Sequence, residues 1–138
     1  MNSVNINDEN FKNTEMYKDF IKDNPGEGRL LIRAFAANEA IPIANLRVTV
    51  SLDIDSTKVI FFEGYTDNSG MIPRLFLPAP IYNTNNLVEP LFTTYDIFAT
   101  YNNNDLIYKV NIYDNICVVQ NINVVPEINE RKGNIYGS

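Results

Sequence analysis

The sequence predicts an all-β protein, a seven-stranded sandwich preceded by one short helix, and three observations carry that expectation. Between Arg29 and Val125 the chain divides into about seven short β-branched or aromatic runs separated by turn-forming residues. In the second run Leu46, Val48, Val50 and Leu52 alternate with Arg47, Thr49, Ser51 and Asp53, as expected of a strand with one face in and one face out. Upstream, a single apolar stripe has helical rather than alternating spacing. With 138 residues and 45% hydrophobic content, one domain with a real core is the expected size class.

The helix comes first. In NTEMYKDFIKD, residues 13–23, Met16, Tyr17, Phe20 and Ile21 fall on one face. The following NPGEG ends it, because proline and two glycines do not extend helical geometry cheaply. The strand runs then follow in order: RLLIRAFA, LRVTVSLD, KVIFFEGY, MIPRLFL, TTYDIFATY, LIYKVNIY and ICVVQNINVV. Pro73 predicts a strand edge or end, since it cannot donate to a ladder. In the last run Cys117 and Val119 share one phase and Ile122 and Val124 the other, which predicts a β-bulge near Gln120 and Asn121. The expected division is an N-terminal extension over 1–27, the sandwich over 28–127 and a tail over 128–138.

Composition restricts the chemistry. Eleven basic and 17 acidic residues leave a net charge of −6, which argues against a general electrostatic grip on nucleic acid or anionic lipid. The chain contains no histidine, so the commonest general base and neutral metal ligand are missing. Cys117 is the only cysteine; it forms no intrachain disulfide, and its apolar setting NICVVQ predicts a buried, inert thiol. The first residues have neither a basic start nor an apolar run, so no secretory signal is read and a cytoplasmic location is the expectation. No segment is apolar enough over sufficient length to insert in a membrane.

Each candidate site has a plainer explanation. TDNSG, residues 66–70, has the look of a calcium loop, yet Gly70, Met71 and Ile72 follow where further oxygen ligands would be needed. Asp, Asn, Ser and Gly together suit a hairpin turn between the third and fourth runs instead. No catalytic residue, metal ligand or cofactor site is assigned. A Lys-to-Asn isopeptide is not expected, because the first strand offers only Arg29 and Arg33, and arginine is not an amine nucleophile at ordinary pH. Two weaker binding candidates remain. If Leu30, Ile32 and Ala34 point inward, Leu31 and Phe35 point out, and Phe61, Phe76 and Phe98 raise the same difficulty, so these five are read as an apolar outer face. The N-terminal helix is the nearest cover for that face and a partner chain the second; bulges that turn the side chains inward are the alternative. Tyr82 and Tyr101, in asparagine-rich loops, are read as aromatics able to stack on a sugar.

The order of landmarks carries a resemblance. GRLLIRAFAANEAIPIANLRVTV, GYTDNSGMIPRLFLPAP, PLFTTYDIFATY and VNIYDNICVVQNINVVPE resemble the transthyretin-like, carboxypeptidase regulatory-like Greek-key sandwich found in spore cortex-lytic enzymes and related cell-wall proteins of spore-forming bacteria. Gly28, Leu30 and Ile32 match its first element; Ala40, Ile41, Pro42 and Ile43 its second; Thr66, Asp67, Ser69, Gly70, Pro73, Leu77, Pro78 and Pro80 its third; and Tyr95, Gln120, Asn123 and Pro126 the rest. Leu46, Phe92 and Asn115 depart from the pattern, Asn115 standing where a closing-turn glycine is usual. The terminal IYGS is similar to the Tyr-Arg-Gly-Ser end of transthyretin-like hydroxyisourate hydrolases, without the arginine and without the histidines that chemistry needs. No lytic module accompanies the sandwich, so the resemblance implies a non-enzymatic structural or adaptor protein associated with a spore or cell-wall assembly. It would act through a protein partner or by self-association. A carbohydrate or peptidoglycan-binding module with a cell-wall glycan as ligand, and a subunit of a phage-tail-like particle, are the alternatives.

Overall fold

The computed structural model describes residues 3–36, 40–81 and 91–125. All seven predicted strands are present: β2 (Gly26–Ala36), β4 (Arg47–Ile54), β5 (Thr57–Tyr65), β6 (Leu75–Ala79), β7 (Thr93–Tyr101), β8 (Asn104–Ile112) and β9 (Cys117–Val124). Two further strands, β1 (Ser3–Asn5) and β3 (Ile41–Pro42), are too short to leave a periodic signal. One sheet has the order β1-β5-β4-β7-β8; in the other, β6 and β3 pair antiparallel with successive stretches of one edge of β2, and β9 pairs in parallel along its other edge.

The inner faces carry the core. Leu30, Ile32, Ala34 and Ala36 of β2 oppose Val48 and Val50 of β4 and Tyr95, Ile97 and Ala99 of β7, all buried. Tyr95 is the largest fully buried side chain, and its hydroxyl donates to the Pro78 carbonyl at 2.6 Å, which satisfies the one polar group it carries inside. Burial pushes its phenol well above the ordinary tyrosine range. Two tight hairpins close the first sheet. β4 and β5 are joined by Asp55 and Ser56 (φ 49° and 69°), and β7 and β8 by Asn102 and Asn103 (φ 49° and 65°), the geometry whose twist matches paired strands.

The helix covers Glu15–Asp23 (α2), behind a shorter turn of helix at Glu9–Lys12 (α1). Thr14 caps α2, its hydroxyl oxygen accepting from the Tyr17 N–H. Phe20 is buried against Phe61, with ring centroids 6.1 Å apart, and Phe61 in turn meets Tyr95 edge-on at 5.1 Å. Asn24 closes the junction: its amide donates to the Phe20 carbonyl at 2.9 Å and its side-chain oxygen accepts from the Thr93 hydroxyl. The helix therefore docks within its own chain but not on Leu31 and Phe35. Since β1 also joins β5 through the register Ser3↔Lys58, Val4↔Val59, the N-terminal segment is built into the sandwich rather than appended to it.

Three sequence expectations are corrected. TDNSG does not form a hairpin, because β5 and β6 belong to different sheets and the segment carries the chain from one to the other. The bulge is not in β9, whose register against β2 runs unbroken from Cys117 to Val124; it lies in β5, where Phe61 is the extra residue opposite Val50 and Ser51. Cys117 is exposed rather than buried, because Val118, Gln120, Ile122 and Val124 share the inward phase and Cys117 and Val119 the outward one. No helix among the described residues is long and apolar enough to cross a membrane.

Candidate functional site

The TDNSG corner is scaffold in its geometry. The Thr66 hydroxyl donates to the Ile43 carbonyl at 2.7 Å and accepts from the Leu46 N–H at 2.9 Å, tying the corner to the start of β4. Oδ1 of Asp67 accepts from the N–H groups of Ser69 and Met71 at 2.9 and 3.0 Å, an arrangement that folds the loop on itself. Gly70, at φ +77°, lies against β2, its carbonyl accepting from the Ala34 N–H at 2.7 Å. Every polar atom named here is used in turning the chain.

The predicted apolar residues do not form one face. Phe61 is turned inward by the β5 bulge and packs half-buried against the core beside Tyr95, which is a correction to its outward placement. Phe98 is half-buried on the outer side of the five-stranded sheet, with the Lys58 ammonium 4.4 Å above its ring. Tyr101, at the end of β7, packs half-buried against the core rather than standing free for a ligand. Tyr82 lies outside the described residues.

Leu31, Phe35 and Phe76 are brought together, on the outer face of the sheet built around β2. Strand register lays out that face as a grid. Cys117, Arg29 and Phe76 form one row, Val119 and Leu31 the next, then Asn121, Arg33 and Met71, and last Asn123, Phe35 and Pro42. Phe76 is 56% exposed and Val119 49%. The Arg33 guanidinium sits 4.8 Å from the Phe35 ring centre, and Arg29 donates to the Asn115 carbonyl at 3.3 Å. Among the described residues neither arginine makes an ion pair, whereas the other sheet's outer face matches its charges in Arg47–Glu63 and Lys109–Asp96.

Arg29, Arg33 and Val119 complete this face and were not singled out from sequence. The signal for the arginines is present in the alternation of β2, where Arg29, Leu31, Arg33 and Phe35 share the outward phase. Val119 gives no such signal until β9 is known to lie beside β2. Arginine and aromatic side chains around aliphatic ones are the composition enriched at binding surfaces.

No family model matches the chain, and no curated protein matches it. Among solved structures, it is similar to the crystal structure of transthyretin from Sparus aurata, at 11% identity, with 69% of this chain and 90% of that chain covered and a TM-score of 0.42.

Proposed function

We propose that this protein is a non-enzymatic structural or adaptor sandwich that binds a protein partner through the outer face of the β2 sheet. The observation that supports it most is the juxtaposition of two arginines without acidic partners among the described residues and the outward side chains Leu31, Phe35, Phe76 and Val119, in a chain of net charge −6. An arginine stacked on a phenylalanine is already ordered, so less side-chain entropy is lost when a carboxylate docks on it. The partner's contact surface would be apolar at its centre and acidic at the rim. The motif resemblance adds the setting, a spore or cell-wall assembly, as part of the same proposal.

A photo-crosslinking residue at position 31 or 35 should capture a discrete protein species from extracts of the producing cells, and one at position 49, on the other outer face, should not. Arg33→Glu should abolish the capture from position 31. Equal capture from both faces, or capture untouched by Arg33→Glu, defeats the assignment of the face. Purified cell-wall material provides the competing outcome: saturable sedimentation with it, unaffected by Arg33→Glu, would replace the protein partner with a glycan.

A further inference from the structure

The strand edges form a surface distinct from the two outer faces. Among the described residues the edge strands are β1, β3, β6, β8 and β9. An open edge is a template for another strand, and proteins blunt such edges by shortness, proline or charge. β1 has three residues and β3 two, one of them Pro42; β6 contains Pro78; β8 carries Asp105 and Lys109. β9 has none of these devices. It runs for eight residues, and from Asn115 to Val125 the chain has neither a charge nor a proline.

The backbone phase of β9 is set by the Arg29 N–H donating to the Ile116 carbonyl at 2.9 Å, so the even-numbered residues address β2 and Cys117, Val119, Asn121 and Asn123 address the outside. Side chains cap part of that edge. The Gln120 amide donates to the Asn121 carbonyl at 3.0 Å, and the Asn123 N–H donates to the Tyr108 hydroxyl at 3.3 Å. No such cap is found at Cys117 or Val119 among the described residues, and both side chains are exposed.

We propose that β9 pairs antiparallel with β9 of a second copy, Cys117 of each opposite Val119 of the other. The charge pattern selects this occupant. Two chains at −6 repel wherever their acidic residues approach, and β9 is the one edge long enough to pair that brings no charge to the contact. It also offers no charge with which to recruit a partner of opposite sign, while the two-fold arrangement satisfies the outward groups of Cys117 and Val119 in both copies with four hydrogen bonds. The pairing uses the β9 backbone and not Arg33 or Phe35; Val119 borders the partner face proposed above, so the two proposals are separated by readouts at residues 33 and 35 rather than at 119.

The sole cysteine reports on the register. Diagonal neighbours across an antiparallel pair are about 7–8 Å apart, too far for a disulfide, whose Cα atoms lie within about 7 Å, but within reach of a short bis-maleimide. The full-length protein should sediment at twice 15.7 kDa, and a two-carbon bis-maleimide should convert it to a covalent dimer while a mild oxidant does not. Val119→Pro removes an outward N–H that β2 does not use; with two of four hydrogen bonds lost, dimerisation should weaken by at least about tenfold. Val119→Lys restores the missing edge charge without touching the backbone and should do the same. Ile107→Lys, on the edge strand β8, should leave the dimer intact. A protein that stays monomeric at high concentration, or a dimer that survives both Val119 changes but not Ile107→Lys, overturns the proposal. Loss of partner capture at residue 35 with the dimer intact would defeat the other proposal alone.

Discussion

Gly70 combines a left-handed backbone with a close approach to β2. Its φ of +77° lies in the left-handed region, and a β-carbon built there would stand 2.4 Å from the Ala34 carbonyl oxygen and 3.2 Å from the Ile43 nitrogen. The first cost of Gly70→Ala is conformational, about 1–2 kcal/mol for an L-residue forced left-handed. The second is positional. The Ala34 carbonyl cannot withdraw without losing the Ile43 N–H, which donates to it at 3.0 Å, and Gly70 cannot retreat without stretching the 2.7 Å bond from the Ala34 N–H. One or both of these bonds go, at about 1 kcal/mol each. The total expected for Gly70→Ala is therefore about 2–4 kcal/mol, and more for Gly70→Val, a large share of the roughly 5–15 kcal/mol typical of a domain.

The chain has no tryptophan, so urea unfolding is best followed by far-ultraviolet circular dichroism, with stability read from the midpoint at constant slope. Gly70→Asn separates the two costs, because asparagine tolerates the left-handed region but carries the same β-carbon. Asn115→Gly and Asn45→Gly are the controls: both positions are left-handed, at φ 62° and 60°, and should change stability little. A loss below about 1 kcal/mol for Gly70→Ala, or an asparagine variant as stable as the wild type, refutes the close approach to β2.

The Tyr95 phenol holds its proton well above pH 10 because burial disfavours the phenolate, while the unfolded tyrosine releases it near its ordinary value of about 10. Its contribution is thus fully present below pH 10, and stability falls above that by about 1.4 kcal/mol per pH unit. Tyr95→Phe should flatten the alkaline slope by one proton and, at neutral pH, cost about 1–3 kcal/mol through the Pro78 carbonyl left without its donor; equal slopes in the two proteins refute it. Deleting residues 1–24 removes Phe20 from Phe61 and β1 from β5, so the truncated protein should be less stable and should aggregate through that side. Unchanged mass and midpoint in sedimentation and urea titration would show that the segment contributes nothing to the sandwich.

What the sequence makes legible is what depends on near neighbours. The inward set of β2, the alternation of β4 as far as Val50 and the helix around Phe20 follow from spacing alone, whereas Ser51, expected on the outward face, is 1% exposed; Asn115, standing where a glycine is usual, takes the left-handed conformation at φ 62°. The TDNSG residues announce a turn, but whether the chain returns beside β5 or crosses to the other sheet depends on Thr66 meeting Ile43 and Gly70 meeting Ala34, residues far away in sequence. Phe61 and Cys117 mislead for related reasons. One is re-aimed by a bulge, and the other belongs to the phase that the parallel pairing with β2 puts outside. Composition does not separate Phe61 from Phe76, although one packs half-buried against the core and the other is 56% exposed.

The two outer faces differ in a way that bears on function. On the five-stranded sheet, Arg47 has Glu63, Lys109 has Asp96, and Lys58 covers Phe98. Exposed pairs of this kind contribute roughly 0–1 kcal/mol each, too little to explain the pattern by stability, but they leave those charges matched within the face. On the β2 sheet the same residue types are arranged without matching: Arg29 and Arg33 have no described carboxylate, and the apolar side chains between them are covered only in part by the guanidinium over Phe35. Among the described residues both features, the unmatched arginines and the β9 edge, fall on one sheet, and the two proposals assign each a complement: an acidic surface for the arginines and a second strand for the β9 edge.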